Sequence, residues 1–153
     1  MKVNMSELVP LIKEVVDSGA TFRLYPHGQS MMPTIKEGED SVELSAPFDL
    51  REFDIVLYRR NAEQYVLHRI VNIHGDLFDM CGDSQYVIEN NISQSDIIAK
   101  VTGIFKGEKL VDPYDKEHMK MAEKIYKKKP FQRFVGRIKT FLYPAYKLLF
   151  KRK

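Results

Sequence analysis

The chain has 153 residues, the size of one ordinary domain, and its 44% hydrophobic and 29% charged content belongs to a folded protein rather than a disordered one. Its single cysteine, Cys81, excludes an internal disulfide, and no run of about 20 uncharged apolar residues is present to span a bilayer. The formal net charge of +3 hides a division: 11 Lys and Arg stand against 19 Asp and Glu in residues 1–115, and 13 against 2 in residues 116–153, so an acidic body carries a basic tail of the kind that meets an anionic surface.

At the N-terminus, Leu8, Leu11, Ile12, Val15 and Val16 recur at helical spacing, Asn4 or Ser6 can cap the start, and Gly19 suits a left-handed stop. An amphipathic helix is predicted over 5–18, with Pro10 tolerated near its first turn. Glu7, Lys13, Glu14 and Asp17 break up any stretch that would read as an export signal. The expectation is an intracellular protein, cytoplasmic or peripherally membrane-associated, without a transmembrane segment.

From Thr21 onward, short runs of Val, Ile, Tyr and Phe alternate with Gly, Pro, Asp and Asn. Strands are predicted at 22–26, 40–45, 54–60, 64–73, 77–81 and 97–106, with a further short strand after the Lys106-Gly107-Glu108 turn. Strands at this spacing suggest a compact, partly closed sheet system, which makes the chain mainly β with helices at both ends. After Asp112-Pro113 the composition turns helical, with a first segment to about Lys128 and a break at Pro130. The predicted division is therefore a body of 1–112 and a basic helical extension of 113–153.

Three segments carry candidate chemistry. In Gly28-Gln29-Ser30-Met31-Met32-Pro33, a glycine permits close approach of the backbone and a proline fixes the chain just beyond a serine. In Tyr65-Val66-Leu67-His68-Arg69-Ile70-Val71, strand alternation puts His68 on one face with Val66 and Ile70. A serine hydroxyl is a weak nucleophile that needs a base with a pKa near 7, which imidazole supplies. Met80-Cys81-Gly82-Asp83-Ser84 is a turn whose aspartate can orient an imidazole. Taken singly, each has a plainer reading: a loop serine making a turn bond, a core histidine bonded to backbone, an Asx turn.

In this order, the segments resemble the LexA/signal-peptidase superfamily, and within it the type I signal peptidases. Gly28-x-Ser30-Met31-x-Pro33 looks like the family's nucleophile box, and the Glu37–Val42 and Phe53–Tyr58 segments look like its following strand pair. His68-Arg69-Ile70-Val71 resembles the base-bearing strand, Gly82-Asp83 the Gly-Asp box, and Asp96–Val101 the strand after it. With histidine in the base position, the chain looks like the endoplasmic-reticulum and archaeal type rather than the lysine type.

The resemblance covers about residues 22–106 and implies a LexA/signal-peptidase-like β fold and a serine endopeptidase. It implies that Ser30 attacks the scissile carbonyl, that His68 takes its proton and returns one to the leaving amine, and that Asp83 supports His68. Apart from the resemblance, Asp76 is the alternative to Asp83. The backbone amides of Gly28 and Ser30 would form the oxyanion hole. Leader or signal peptides with small residues near the cut are the family's default substrates. The segment before Ser30 reads as an amphipathic helix instead of the family's membrane anchor, which points to a small stand-alone member.

His27 is a second candidate base, whereas His74 and His118 are expected to be solvated. Cys81 is expected to be a small apolar filler, and Arg59-Arg60 a strand end in water with substrate contact as the alternative. No metal site and no cofactor are expected. The expected partners are a peptide substrate and an anionic membrane. The latter would be met by Phe131, Phe134, Val135, Ile138, Phe141, Leu142 and Ala145, which trace one helical face, with Arg133, Arg137, Lys139 and Lys147 largely off it. Such interleaving suits a membrane surface better than nucleic acid. The competing function is a catalytically inactive peptide-binding or membrane-associated module of the same fold.

Overall fold

The structure, a computed structural model, describes residues 4–62 and 64–129. Helix α1 spans Met5–Asp17, and the Asn4 side chain caps it by accepting from the Ser6 amide at 3.1 Å. Val9, Ile12 and Val16 form its buried stripe, while Pro10 is exposed on the opposite side. Gly19, at φ +85°, ends the helix in the left-handed conformation.

Eight strands follow: β1 Phe22–Leu24, β2 Asp40–Ser45, β3 Ile55–Asn61, β4 Gln64–His74, β5 Leu77–Cys81, β6 Glu89–Ser93, β7 Ile97–Lys106 and β8 Lys109–Val111. They form one antiparallel sheet in the order β1-β2-β7-β3-β4-β5-β6, with β8 paired to β7. The mainly β class expected from the sequence is what the structure has. Register shifts in β2, β3, β4 and β5 bend the sheet, since a bulge adds local twist.

Strand alternation divides the apolar side chains between two cores. Ile55, Leu57, Val42, Leu44, Val101 and Ile104 pack under the buried stripe of α1. The intervening residues Val56 and Tyr58 join Ile70, Phe78, Met80 and Ile97 in the second core. His68 belongs to the second face, because β4 pairs Val56 with His68 and Tyr58 with Val66.

One difference from the predicted elements bears on function. Strand β6, Glu89-Asn90-Asn91-Ile92-Ser93, was not expected, because its Asn and Ser content carries no strand signal and Asn91 sits at φ +61°. It forms by pairing with β5. Residues 116–129 form a helix, α2, which Asp115 caps by accepting from the His118 amide at 2.8 Å. This is the helical segment expected to about Lys128, and it packs on the body through buried Ala122, a Tyr126–Phe53 ring contact at 6.1 Å between centroids, and buried Lys129. The predicted face from Phe131 to Ala145 lies outside the described residues.

Candidate active site

Ser30 opens a tight turn between β1 and β2. The Met32 amide donates to the Gln29 carbonyl at 3.1 Å and the Ile35 amide to the Met31 carbonyl at 2.9 Å, and the Met32–Pro33 peptide is cis. Gly28 enters the turn at φ +96°, a conformation that side chains oppose. Among the described residues, neither the Gly28 nor the Ser30 amide is bonded to a backbone carbonyl. Met31 and Ile35 anchor the turn in the first core, and the Lys106 ammonium holds its Thr34 carbonyl at 2.7 Å.

The turn after β5 closes over this loop. The Ser84 amide donates to the Ser30 carbonyl at 2.9 Å, and the Ser84 hydroxyl to the Gln29 carbonyl at 2.8 Å. Gly82 lies where these segments meet the base. A Cβ on Gly82 would stand 2.7 Å from the Ser30 carbonyl oxygen and 3.1 Å from His68 Nε2. The backbone of the candidate nucleophile and the imidazole of the candidate base thus border one methyl-sized space.

His68 is 1% exposed. Its Nδ1 lies 3.1 Å from the Tyr58 hydroxyl and 3.3 Å from Glu89 Oε1. Burial, then the charge of Glu89, holds the Tyr58 hydroxyl well above its ordinary pKa, so it keeps its proton. Burial opposes ionisation of Glu89, but hydrogen bonds from Arg60 and Tyr58 outweigh it and hold the carboxyl below its usual pKa. Arg60 grips this carboxylate with two nitrogens, Nε at 2.8 Å and Nη2 on the other oxygen.

A carboxylate only accepts hydrogen bonds, so the Tyr58 hydroxyl donates to Glu89 and the His68 Nδ1–H donates into this pair. That tautomer leaves Nε2 with its lone pair beside Gly82. Burial is the largest influence on the ring and lowers its pKa to about 4; Glu89 and, less strongly, Asp83 act to raise it, while Arg60 and Lys129 add to the lowering.

Asp83 occupies a different place from the one expected of it. Its carboxylate takes Arg69 Nε at 2.9 Å and Nη2 at 2.8 Å, and also accepts from the Thr34 hydroxyl. Arg69 in turn donates to the Phe53 carbonyl at 2.8 Å. The physical reason is alternation: Arg69 follows His68 on β4 and points to the opposite face, so a carboxylate that pairs with one is turned from Nδ1 of the other. Asp83 clamps the serine loop to β4, and the groups facing Nδ1 are Tyr58 and Glu89. The alternative Asp76 sits exposed in the β4–β5 turn beside His74, at the far end of the strand from His68.

An apolar cavity of about 180 Å³ opens beside Ser30, lined by Leu24, Met31, Ile35, Leu57 and Leu67, with Gly28 and His27 also on its wall. His27 is exposed and pairs with Glu37 at 3.4 Å. His74 contacts Asp79 at 2.9 Å and His118 contacts Asp115 at 3.0 Å. Arg59 pairs with Asp96 at the surface, but Arg60 does not end a strand in water, because it buttresses Glu89. Cys81 is fully buried, and the Lys129 ammonium lies 3.1 Å from its sulfur. Among the described residues no cluster of three or more His, Cys, Asp or Glu side chains is arranged to hold a metal ion, and no helix is long and apolar enough to cross a membrane.

Tyr58, Arg60, Glu89 and Lys129 complete the surroundings of His68 and were not singled out from the sequence for that role. Only Tyr58 carried a usable signal there: once β3 and β4 pair as a hairpin, its parity puts it on the face of His68. No protein-family model matches the chain, and no curated protein matches it significantly.

Proposed function

We propose that this chain is a serine endopeptidase of the LexA/signal-peptidase type that cleaves leader or signal-type peptides, with Ser30 as nucleophile and His68 as general base. The observation that carries the reading is the convergence of the Ser30 backbone and His68 Nε2 on Gly82, with Nδ1 held by Tyr58 and Glu89. In this reading Nε2 takes the Ser30 proton as Oγ attacks the scissile carbonyl, then returns a proton to the leaving amine. Tyr58 and Glu89 stabilise the imidazolium between those steps, the part first expected of Asp83. The Gly28 and Ser30 amides receive the oxyanion, and each such donor contributes about 3 kcal/mol to transition-state stabilisation. The cavity beside Ser30 suits a small apolar side chain next to the cut.

The test is cleavage of a peptide pool with alanine-rich central segments, read by mass spectrometry. Wild type is expected to cut and Ser30→Ala to lose cleavage, while stability changes by no more than about 0.5 kcal/mol, since the loop holds Ser30 through its carbonyl, which alanine keeps. Equal cleavage by both proteins removes Ser30 from the mechanism.

A second reading, a peptide-binding module that does not cut, draws on the burial of His68, which makes its ring a weak base. Saturable binding of the pool by wild type without any cleaved product selects it. Under either reading, residues 131–153 attach the body to an anionic membrane, a proposal that rests on their sequence of basic and apolar residues.

A further inference from the structure

We propose that Lys129 is a positioning residue of this site, tying α2 to the peptide on which the Ser30 backbone and the His68 ring converge. The inference rests on the reading of Ser30 and His68 as nucleophile and base. Lys129 stands in the last described turn of α2 and is 5% exposed, unusual for a side chain that ordinarily keeps its ammonium in water. It is buried with partners: its ammonium donates to the Gly82 carbonyl at 2.5 Å and meets the Cys81 sulfur at 3.1 Å.

The consequence follows from what Gly82 touches. A Cβ on it would stand 2.7 Å from the Ser30 carbonyl oxygen, too short for a methyl group, and a tight 3.1 Å from His68 Nε2. A peptide so confined fixes the spacing of its two neighbours, and a tilt of its carbonyl would move the α-carbon against one of them. Lys129 holds that carbonyl from the side of α2, on the same oxygen that accepts from the Gln85 amide at 3.0 Å within the turn, while the Ser84 amide holds the serine loop. Lys129 is the anchor that ties this contact to α2.

Charge gives the arrangement a second effect. The groups acting on His68 are Glu89 from β6, Tyr58 and Arg60 from β3, Asp83 from the turn after β5, and Lys129 from α2. Of these, Arg60 and Lys129 oppose protonation of the ring. Arg60 acts from the Glu89 side of the ring, and Lys129 acts from the Gly82 side, where its ammonium bonds the Gly82 carbonyl. Lys129 adds to burial, the largest influence, in keeping the ring unprotonated.

The experiment compares Lys129→Met, Lys129→Gln and Lys129→Arg with wild type, using NMR titration of the His68 ring, assigned through His68→Gln, and cleavage of the alanine-rich pool. Lys129→Met is expected to lower kcat/KM by about tenfold to a hundredfold and to raise the His68 titration midpoint by about half a pH unit or more. Lys129→Gln, which keeps a donor for the carbonyl and loses the charge, should retain more activity than methionine but show the same rise. Lys129→Arg should restore the wild-type midpoint.

A folded Lys129→Met or Lys129→Gln protein with an unchanged His68 midpoint and wild-type cleavage overturns the proposal. Loss of all cleavage in Lys129→Arg, with activity surviving in His68→Gln, also overturns it by making Lys129 itself the base. If methionine does not fold, the glutamine variant carries the same reading. Because the titration needs no turnover, it judges Lys129 even where Ser30→Ala shows the peptidase reading to be wrong.

Discussion

The Cβ that Gly82 lacks would stand 2.7 Å from the carbonyl oxygen of Ser30. That oxygen is backbone, held by the Ser84 amide at 2.9 Å, so it has little freedom to retreat. Gly82→Ala is therefore expected to displace the serine loop or the imidazole, since His68 Nε2 lies 3.1 Å from the same point. Overpacking of this kind costs about 1–3 kcal/mol, and a displacement of about 1 Å costs about a hundredfold in rate. Thermal melting and peptide cleavage measure the two effects. An alanine variant with wild-type activity would show that the three groups do not act as one unit.

The sequence led to an expected pH limb between about 6 and 7.5 for an imidazole base. With burial lowering the His68 pKa to about 4, the proposed base should instead stay neutral down to the region of pH 4, and kcat/KM should fall only as pH approaches it. Stability has a matching sign. The folded pKa lies below the unfolded value of 6.5, so between pH 6.5 and about 4 the unfolded chain binds the extra proton and stability rises with pH. This contribution is complete above pH 6.5 and is lost as pH falls, at no more than about 1.4 kcal/mol per pH unit for one proton. Urea unfolding of wild type and His68→Gln at about pH 5 and about pH 7 should show a steeper pH dependence in wild type. Equal slopes would mean that the ring is not buried in its neutral form.

Asp83 and Glu89 should separate cleanly by what their loss does. Asp83→Asn breaks a buried, doubly bonded pair with Arg69, which leaves a charge without its counterion and costs about 3–5 kcal/mol. Glu89→Gln removes the group that most raises the His68 pKa, so the ring should titrate lower still and cleavage should fall. Denaturant unfolding and His68 titration by NMR measure these outcomes. A large drop in the His68 midpoint on Asp83→Asn alone, with unchanged stability, would return the supporting role to Asp83.

Truncation after Lys129 tests the tail. It removes seven basic residues, Arg133, Arg137, Lys139, Lys147, Lys151, Arg152 and Lys153, together with the aromatic and aliphatic side chains between them. Each such charge contributes about 1 kcal/mol at an anionic surface. The shortened protein should remain folded, because α2 and its contacts precede the cut, and should no longer sediment with anionic vesicles. Loss of the cooperative melt would instead identify the removed apolar residues as core.

Helix α1, most of the strands and the two faces of β4 were legible in the sequence because each depends on neighbours within a few residues. Leu8, Ile12 and Val16 repeat at the helical period, and Val66, His68 and Ile70 alternate at the strand period. Strand β6 was missed for the complementary reason: Asn90, Asn91 and Ser93 have no local preference for a strand, and β5 supplies the hydrogen-bonding edge that makes one. Glu89 was missed with it. Asp83 looked like the partner of His68 by residue type and order, and neither reveals which way a carboxylate turns.

By itself, the sequence determined that a serine sits in a glycine- and proline-bounded turn, that a histidine occupies an inward strand position, and that charge divides between an acidic body and a basic tail. These follow from residue type, backbone freedom and period, which are local properties. Tertiary structure alone decided which groups meet His68. Glu89 reaches its ring through the β5–β6 pairing, Tyr58 through the β3–β4 register, and Lys129 through the docking of α2, while Arg69 draws Asp83 to the other face. Side chains distant in sequence become electrostatic partners only where packing removes the water between them, and that same burial moves the imidazole pKa to about 4.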